Sequence, residues 1–262
     1  MEELDKTGVL IPKLGIGTYT LDSIPEERAV SVIRRAIDLG IGLIDTAEMY
    51  GWGRVEEIVG KAIKPYDREE YFLISKVWGT NLSYEGVMKA ANASVRRLGT
   101  YIDLYLIHWP NPRYPLEETL RAFRELRREG LIRFSGVSNF SLGQMTEAMK
   151  HEEIVANQVE YHLNNREPER GLLQFCQRER VTLIAYSPLD RGRLARNPPK
   201  VLREVSAELG RSPAQVALRW LISKDMVVAI PKAGSIEHLE ENYGSLSFEI
   251  PEHLMRRLDL MG

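Results

Sequence analysis

Four residues of proton-handling types stand at the ends of apolar runs: Asp45 and Tyr50 in GLIDTAEMYG, Lys76 in FLISKVW and His108 in DLYLIHWP. Each alone has an ordinary structural explanation. Asp45 is a good helix N-cap, Tyr50 a rim aromatic with one wet end, Lys76 a lysine snorkelling to water, and His108 a satisfied core imidazole. An ammonium or imidazole at the end of an apolar strand is nevertheless costly unless it is paired, because burial strips its solvation. Asp45 is the obvious partner for Lys76. Gathered at one mouth, the four would deliver a proton to a carbonyl oxygen. A phenol holds its proton near a pKa of about 10, and a neighbouring ammonium favours the phenolate. Asp45 would keep Lys76 in place and charged, while His108 donates a hydrogen bond to the carbonyl oxygen. Reduction also needs a hydride, which no side chain supplies, so a cofactor is implied. The usual nucleotide signatures are missing: GIGTYT has G-x-G without a third glycine, and no phosphate-binding G-x-x-x-x-G-K-[ST] occurs.

To meet, these residues must be carried by neighbouring elements. Eight short apolar runs, KLGIGTY, GLIDTA, FLISKVW, DLYLIHWP, IRFSGVSNF, ANQVEYH, TLIAYSPL and VVAIPKA, alternate with segments of helical spacing such as PEERAVSVIRRAIDLG, LEETLRAFRELRREG and PAQVALRWLISKD. Eight such units predict an α/β fold, a (β/α)8 TIM barrel, with an open doubly wound sheet as the alternative. ELDKTGVLIPKLG reads as an N-terminal β-hairpin, and without a linker the whole span 1–262 is expected to be a single domain. Barrel chemistry sits at the C-terminal strand ends. That rule adds Ser138 and Asn139 in GVSNF, Gln158 in NQVEYH, Tyr186 in AYSPL and Lys232 in AIPKA.

Composition removes other classes. The 262 residues are 44% hydrophobic, with a formal net charge of -2 and both signs scattered along the chain. That gives no electrostatic footprint for nucleic acid or a membrane surface, and it points to a small or neutral partner. One cysteine, Cys176, excludes an internal disulfide and suits a reducing compartment. With no cationic leader and no membrane-length apolar run, a cytoplasmic protein is expected, acting as a monomer on a small-molecule carbonyl or alcohol. HEEIV lacks the second histidine of a zinc motif, so no metal is expected.

GLIDTAEMYG, ISKVW, IDLYLIHWP, GVSNF, NQVEYH, AYSPL and IPKAGSIEHLEEN occur in the order and at the spacings of the aldo-keto reductases, which the chain resembles over nearly its whole length. The resemblance implies a barrel closed at the bottom by a hairpin, and reversible reduction of aldehydes and ketones with NAD(H) or NADP(H). It makes Tyr50 the general acid, Lys76 and Asp45 its tuning pair, and His108 the group that orients the carbonyl. It assigns Ser138, Asn139 and Gln158 to the nicotinamide carboxamide and Tyr186 to stacking on the ring. Gly17, Thr18, Ser187 and Leu189 become further cofactor contacts. Lys232, Ser235, His238, Glu241 and Asn242 mark the adenosine end. There, family members that prefer NADP carry an arginine where this chain has His238, so usable NAD is expected. The chain resembles the shorter, prokaryotic-type members in its brief NPRYP segment and in lacking a long C-terminal loop. An open pocket is therefore expected, bounded by Tyr19, Trp52, Trp78 and Trp109. A Schiff-base aldolase using Lys76, and an inactive nucleotide-binding or interaction protein on the same fold, remain as alternatives.

Overall fold

A computed structural model describes residues 1–261. Each helix follows from local chemistry. In Glu26–Asp38 the buried side chains Ala29, Val32, Ile33, Ala36 and Ile37 recur at helical spacing, with Glu26 and Glu27 in the first turn and Arg35 in the last. Leu116–Arg128 repeats the design, with Glu117 and Glu118 in its first turn and Arg127 and Arg128 in its last. Pro213–Ile222 starts in a capping box between Ser212 and Gln215.

Between the helices run short strands that are buried on both faces, as parallel strands covered by helices must be. A hairpin of β1 (Glu2–Glu3) and β2 (Leu10–Ile11) comes first. The barrel strands follow: β3 (Ile16–Gly17), β4 (Leu43–Asp45), β5 (Phe72–Val77), β6 (Ile102–Ile107), β7 (Ile132–Ser138), β8 (Ile154–Glu160), β9 (Thr182–Tyr186) and β10 (Val227–Ala229). They pair in parallel in sequence order from β3 to β10. Two further parallel bridges, Leu14 with Ala229 and Gly17 with Lys232, join the last strand to the first and close the barrel. Every one of the eight apolar runs carries one of these strands.

The closing seam explains Gly17. A Cβ there would stand 2.8 Å from the Ile230 carbonyl oxygen, so only glycine lets the two strands approach. Leu43, Phe72, Ile74, Leu104, Leu106, Val155, Ile184, Val228 and Ile230 fill the barrel interior, joined by Leu4 and Ile11 from the hairpin side. A larger apolar cluster packs the strands against the surrounding helices.

Candidate active site

The parallel register brings the candidate residues to one end of the barrel. Asp45 ends β4, Lys76 is the penultimate residue of β5, and His108 follows β6. Ser138 ends β7 with Asn139 after it, Gln158 lies near the end of β8, and Tyr186 ends β9. Tyr50 arrives from the connection after β4, on a short 3-10 turn at Tyr50–Gly53.

At the centre lies Lys76, with no exposed surface. Its Nζ donates to both Asp45 carboxylate oxygens at 2.8 Å, to the Thr46 carbonyl at 2.9 Å and to Tyr50 Oη at 3.2 Å. Gln158 Nε2 donates to Asp45 Oδ1 at 2.7 Å, and Thr18 Oγ1 to the Asp45 carbonyl oxygen at 2.8 Å. The carboxylate is thus fixed by a cation and an amide, and the cation in turn reaches the phenol. Around Tyr50 the rings meet edge to face: Tyr19 at 5.2 Å and His108 at 5.8 Å, with Trp78 against His108 at 5.2 Å. Sequence reasoning overlooked Glu48. Its Oε1 accepts from the Trp78 amide at 2.6 Å and from Asn81 Nδ2 at 3.0 Å, fixing the turn that holds Trp78. Its place between Asp45 and Tyr50 in DTAEMYG was the available signal.

The electrostatics revise one expectation. Burial pushes the Lys76 ammonium below its ordinary range against the pull of Asp45. The Tyr50 phenol is driven well above its ordinary value, first by burial and then by the negative charge of Asp45. The expected lowering by Lys76 is absent because burial disfavours the phenolate and Asp45, beside the ammonium, adds a charge of the opposite sign. His108 is pushed down to about 3, by burial first and then by the Lys76 charge, so the imidazole is neutral near pH 7. Its Nδ1 is buried without a hydrogen-bond partner. A proton on Nε2 therefore leaves only a lone pair unpaired and gives the mouth a donor.

On the other side of the mouth, Tyr186 Oη donates to Asn139 Oδ1 at 3.0 Å, and Asn139 Nδ2 donates to the His108 carbonyl and to Ser138 Oγ, both at 3.0 Å. Ser138 Oγ donates to the Gln158 carbonyl at 2.9 Å. These amide and hydroxyl groups suit a carboxamide, with Gln158 Oε1 and a lone pair of Ser138 Oγ as acceptors. Asn139 and Ser187 both have left-handed backbones. Lys232 is exposed and has no ion-pair partner among the described residues, near the start of Ile236–Tyr243, whose N-cap Ser235 accepts from the His238 amide at 3.3 Å. Backbone donors and an ammonium there suit a phosphate. The donor set therefore fits a nicotinamide nucleotide at both ends.

Other predicted residues are less gathered. Gly17 is buried in the seam and the Thr18 hydroxyl is engaged with Asp45. Asn242 is buried, Leu189 and Glu241 half-buried, and His238 exposed. Of the expected pocket walls Trp78 packs on His108 and Tyr19 on Tyr50, although Tyr19 is 63% exposed, whereas Trp109 is 45% and Trp52 91% exposed. A polar recess of about 650 Å³, lined by Glu160, His162, Asp190 and Arg193 among others, opens beside the β9 end and holds none of the four proton-handling candidates.

Comparison with known proteins agrees with this geometry. A model described as the Aldo/keto reductase family matches residues 13–261. Methylglyoxal reductase YeaE of Escherichia coli is 40% identical over 260 residues, covering 96% of this chain and 91% of that protein. Glyoxal reductase of Bacillus subtilis is 37% identical over 259 residues, covering 97% and 90%. Among solved structures, the thermostable aldo-keto reductase Tm1743 in complex with the inhibitor epalrestat superposes with a TM-score of 0.96 at 46% identity, covering 100% of this chain and 99% of that one. An aldo/keto reductase from Klebsiella pneumoniae in complex with NADP and acetate gives 0.92 at 35% identity, covering 97% and 93%.

Proposed function

The chain belongs to the aldo/keto reductase family, and from that premise we propose that Tyr50 is the proton donor of its carbonyl reduction, with Lys76, Asp45 and His108 as its working partners. The protein is an NAD(P)H-dependent oxidoreductase acting on aldehydes and ketones. Ser138, Asn139, Gln158 and Tyr186 would hold a nicotinamide, which when bound would supply the hydride for the carbonyl carbon. The substrate oxygen sits between Tyr50 Oη and His108 Nε2. His108, neutral at working pH, donates a hydrogen bond that polarises the carbonyl. As negative charge develops on the oxygen, Tyr50 passes its proton there and an alcohol results. The phenolate left behind is met by the Lys76 Nζ donor.

The raised pKa keeps Tyr50 protonated but makes it a weaker acid, so the transfer relies on the strongly basic oxygen that forms as the carbonyl is reduced and on the Lys76 donor that meets the phenolate. The observation that carries the proposal is the buried Lys76 ammonium bonded at once to Asp45 and, at 3.2 Å, to Tyr50 Oη. The same bonds weigh against a Schiff-base aldolase, since Nζ is enclosed by Asp45, Thr46 and Tyr50. An inactive protein on this fold would have no use for so costly an ion pair.

Small dicarbonyls of the kind named for YeaE and the glyoxal reductase are the first substrates to try. The remaining proposals concern setting. The span 1–262 is proposed as one barrel domain, of which Gly262 lies outside the described residues. It acts as a cytoplasmic monomer, with no nucleic-acid or membrane partner. The balanced charge and the lone buried Cys176 support this, and no described helix is long and apolar enough to cross a membrane. The test is NAD(P)H oxidation by the purified protein with methylglyoxal and a panel of aldehydes. Carbonyl-dependent turnover is expected. Its absence, together with borohydride trapping of a Lys76 adduct without nucleotide, would favour the aldolase.

A further inference from the structure

Tyr50 must stand within reach of Lys76, yet the two ride on different elements: Lys76 on β5, and Tyr50 on the turn that leads into the helix Arg54–Ile63. That turn does not hold its own shape. Gly51, Trp52 and Gly53 have positive φ, at 54°, 54° and 93°. The region is costly for a bulky residue such as tryptophan, and a run of it persists only where the surroundings enforce it. The helix Tyr84–Leu98 supplies part of that enforcement. A Cβ on Gly53 would lie 2.8 Å from Arg97 Nε, so the guanidinium is pressed against the turn from behind.

Arg97 is held there by Glu56, which lies in the first turn of Arg54–Ile63 and has no exposed surface. Glu56 Oε2 accepts from Arg97 Nε at 2.7 Å and from Nη2 at 2.6 Å, while Oε1 accepts from Ser75 Oγ at 2.6 Å. Arg97 Nη2 also donates to Ser94 Oγ at 3.2 Å. Side chains alternate along a strand, so buried Ser75 faces the helix layer while Lys76, the next residue, faces the mouth. One carboxylate therefore grips the strand beside Lys76 with one oxygen, and with the other it grips the cation that backs the Tyr50 turn. None of these bonds reaches the four proton-handling candidates. Packing alone does not call for them either, because apolar side chains of similar volume would fill the space at less cost than a buried carboxylate. We infer that Glu56, acting with Ser75 and Arg97, is a positioning residue that ties the turn to β5 and so sets Tyr50 Oη at 3.2 Å from Lys76 Nζ. The inference rests on Tyr50 being the proton donor.

The experiment measures kcat and KM for methylglyoxal, nucleotide Kd and Tm in wild-type enzyme, Ser75→Ala, Glu56→Gln and the uncharged double variant Glu56→Gln with Arg97→Met. A displaced acid slows proton delivery without loosening the grip on nucleotide or substrate. Glu56→Gln is therefore expected to lower kcat roughly ten-fold while KM and Kd stay within about two-fold. Ser75→Ala keeps both charges and should lower kcat about three-fold. The double variant should regain Tm lost in Glu56→Gln, because no charge is left unpaired, yet keep the low kcat. A merely structural pair would move Tm alone. Wild-type kcat in Ser75→Ala overturns the inference even where a Glu56 variant fails to fold. So does a loss confined to KM, or a kcat that recovers in the double variant in step with Tm. If Tyr50→Phe turns over like wild type, the proton-donor reading itself has failed, which is a different result from an unmoved Ser75→Ala.

Discussion

At the scale of single residues, the site depends on charges that are buried in balance. Lys76 and Asp45 are each almost wholly enclosed, so removing one leaves the other uncompensated. Lys76→Met is therefore expected to destabilise the fold by roughly 3 to 5 kcal/mol, and adding Asp45→Asn should recover part of that loss. Denaturant unfolding of the two single variants and the double measures it. Additive losses would show that the two groups do not compensate each other. His108 supplies a second check. Its folded value of about 3 lies below its ordinary 6.5, so the unfolded chain binds the extra proton first as pH falls. Stability from this group is complete above about pH 6.5 and is lost as pH descends toward 3. Between those limits wild-type Tm should fall more steeply than that of His108→Gln. For the same reason, kcat/KM should show no inflection near 6.5 assignable to His108. Parallel Tm curves would contradict a neutral, buried imidazole.

At the scale of elements, what the sequence displayed and what it concealed divide along a physical line. Strand runs and amphipathic helices are local patterns, and the eight expected strands and the sampled helices stand where periodicity put them. The identities of Asp45, Tyr50, Lys76 and His108 were visible because polar residues interrupt apolar runs. Lateral bonds were not visible, because no local pattern encodes which group on one strand end meets which on the next. Gln158 was expected at the carboxamide, and its Nε2 is bonded to Asp45. Asn139 is tied to Tyr186 and to the His108 carbonyl. The effect of Lys76 on Tyr50 was misjudged because the burial that raises the phenol, and the Asp45 charge that adds to it, depend on tertiary packing. Trp52 was expected in a wall, but nothing in YGWG announces three consecutive left-handed residues. The last helix carries its own prediction. Lys232 and the N-terminus of Ile236–Tyr243 offer a phosphate one ammonium and backbone donors, with His238 where an arginine would add a bidentate grip. NAD is expected to be usable and NADP accepted. His238→Arg should raise the ratio of kcat/KM for NADPH over NADH by roughly ten- to hundred-fold, the worth of one charge-assisted bond. An unchanged ratio would remove His238 from the nucleotide site.

At the scale of the whole molecule, the barrel distributes the work around one rim. The strand ends of β4 to β6, with the turn after β4, carry the residues proposed to handle the proton. Those of β7 to β9, with the loop after β10, carry the groups suited to a nucleotide. The two halves meet at the Gln158 to Asp45 bond of 2.7 Å, yet they rest on different strands of a closed sheet. A change confined to the Tyr50 hydroxyl should therefore spare nucleotide binding, and Tyr50→Phe removes that single oxygen. The most direct test is to measure both quantities in this variant: NAD(P)H-dependent reduction of methylglyoxal, and nucleotide Kd by titration. We predict that kcat falls by about 10² to 10⁴, the range expected for losing a general acid, while Kd stays within about two-fold of wild type. Turnover at the wild-type rate in Tyr50→Phe, with nucleotide still bound, would contradict the assignment of Tyr50 as the proton donor.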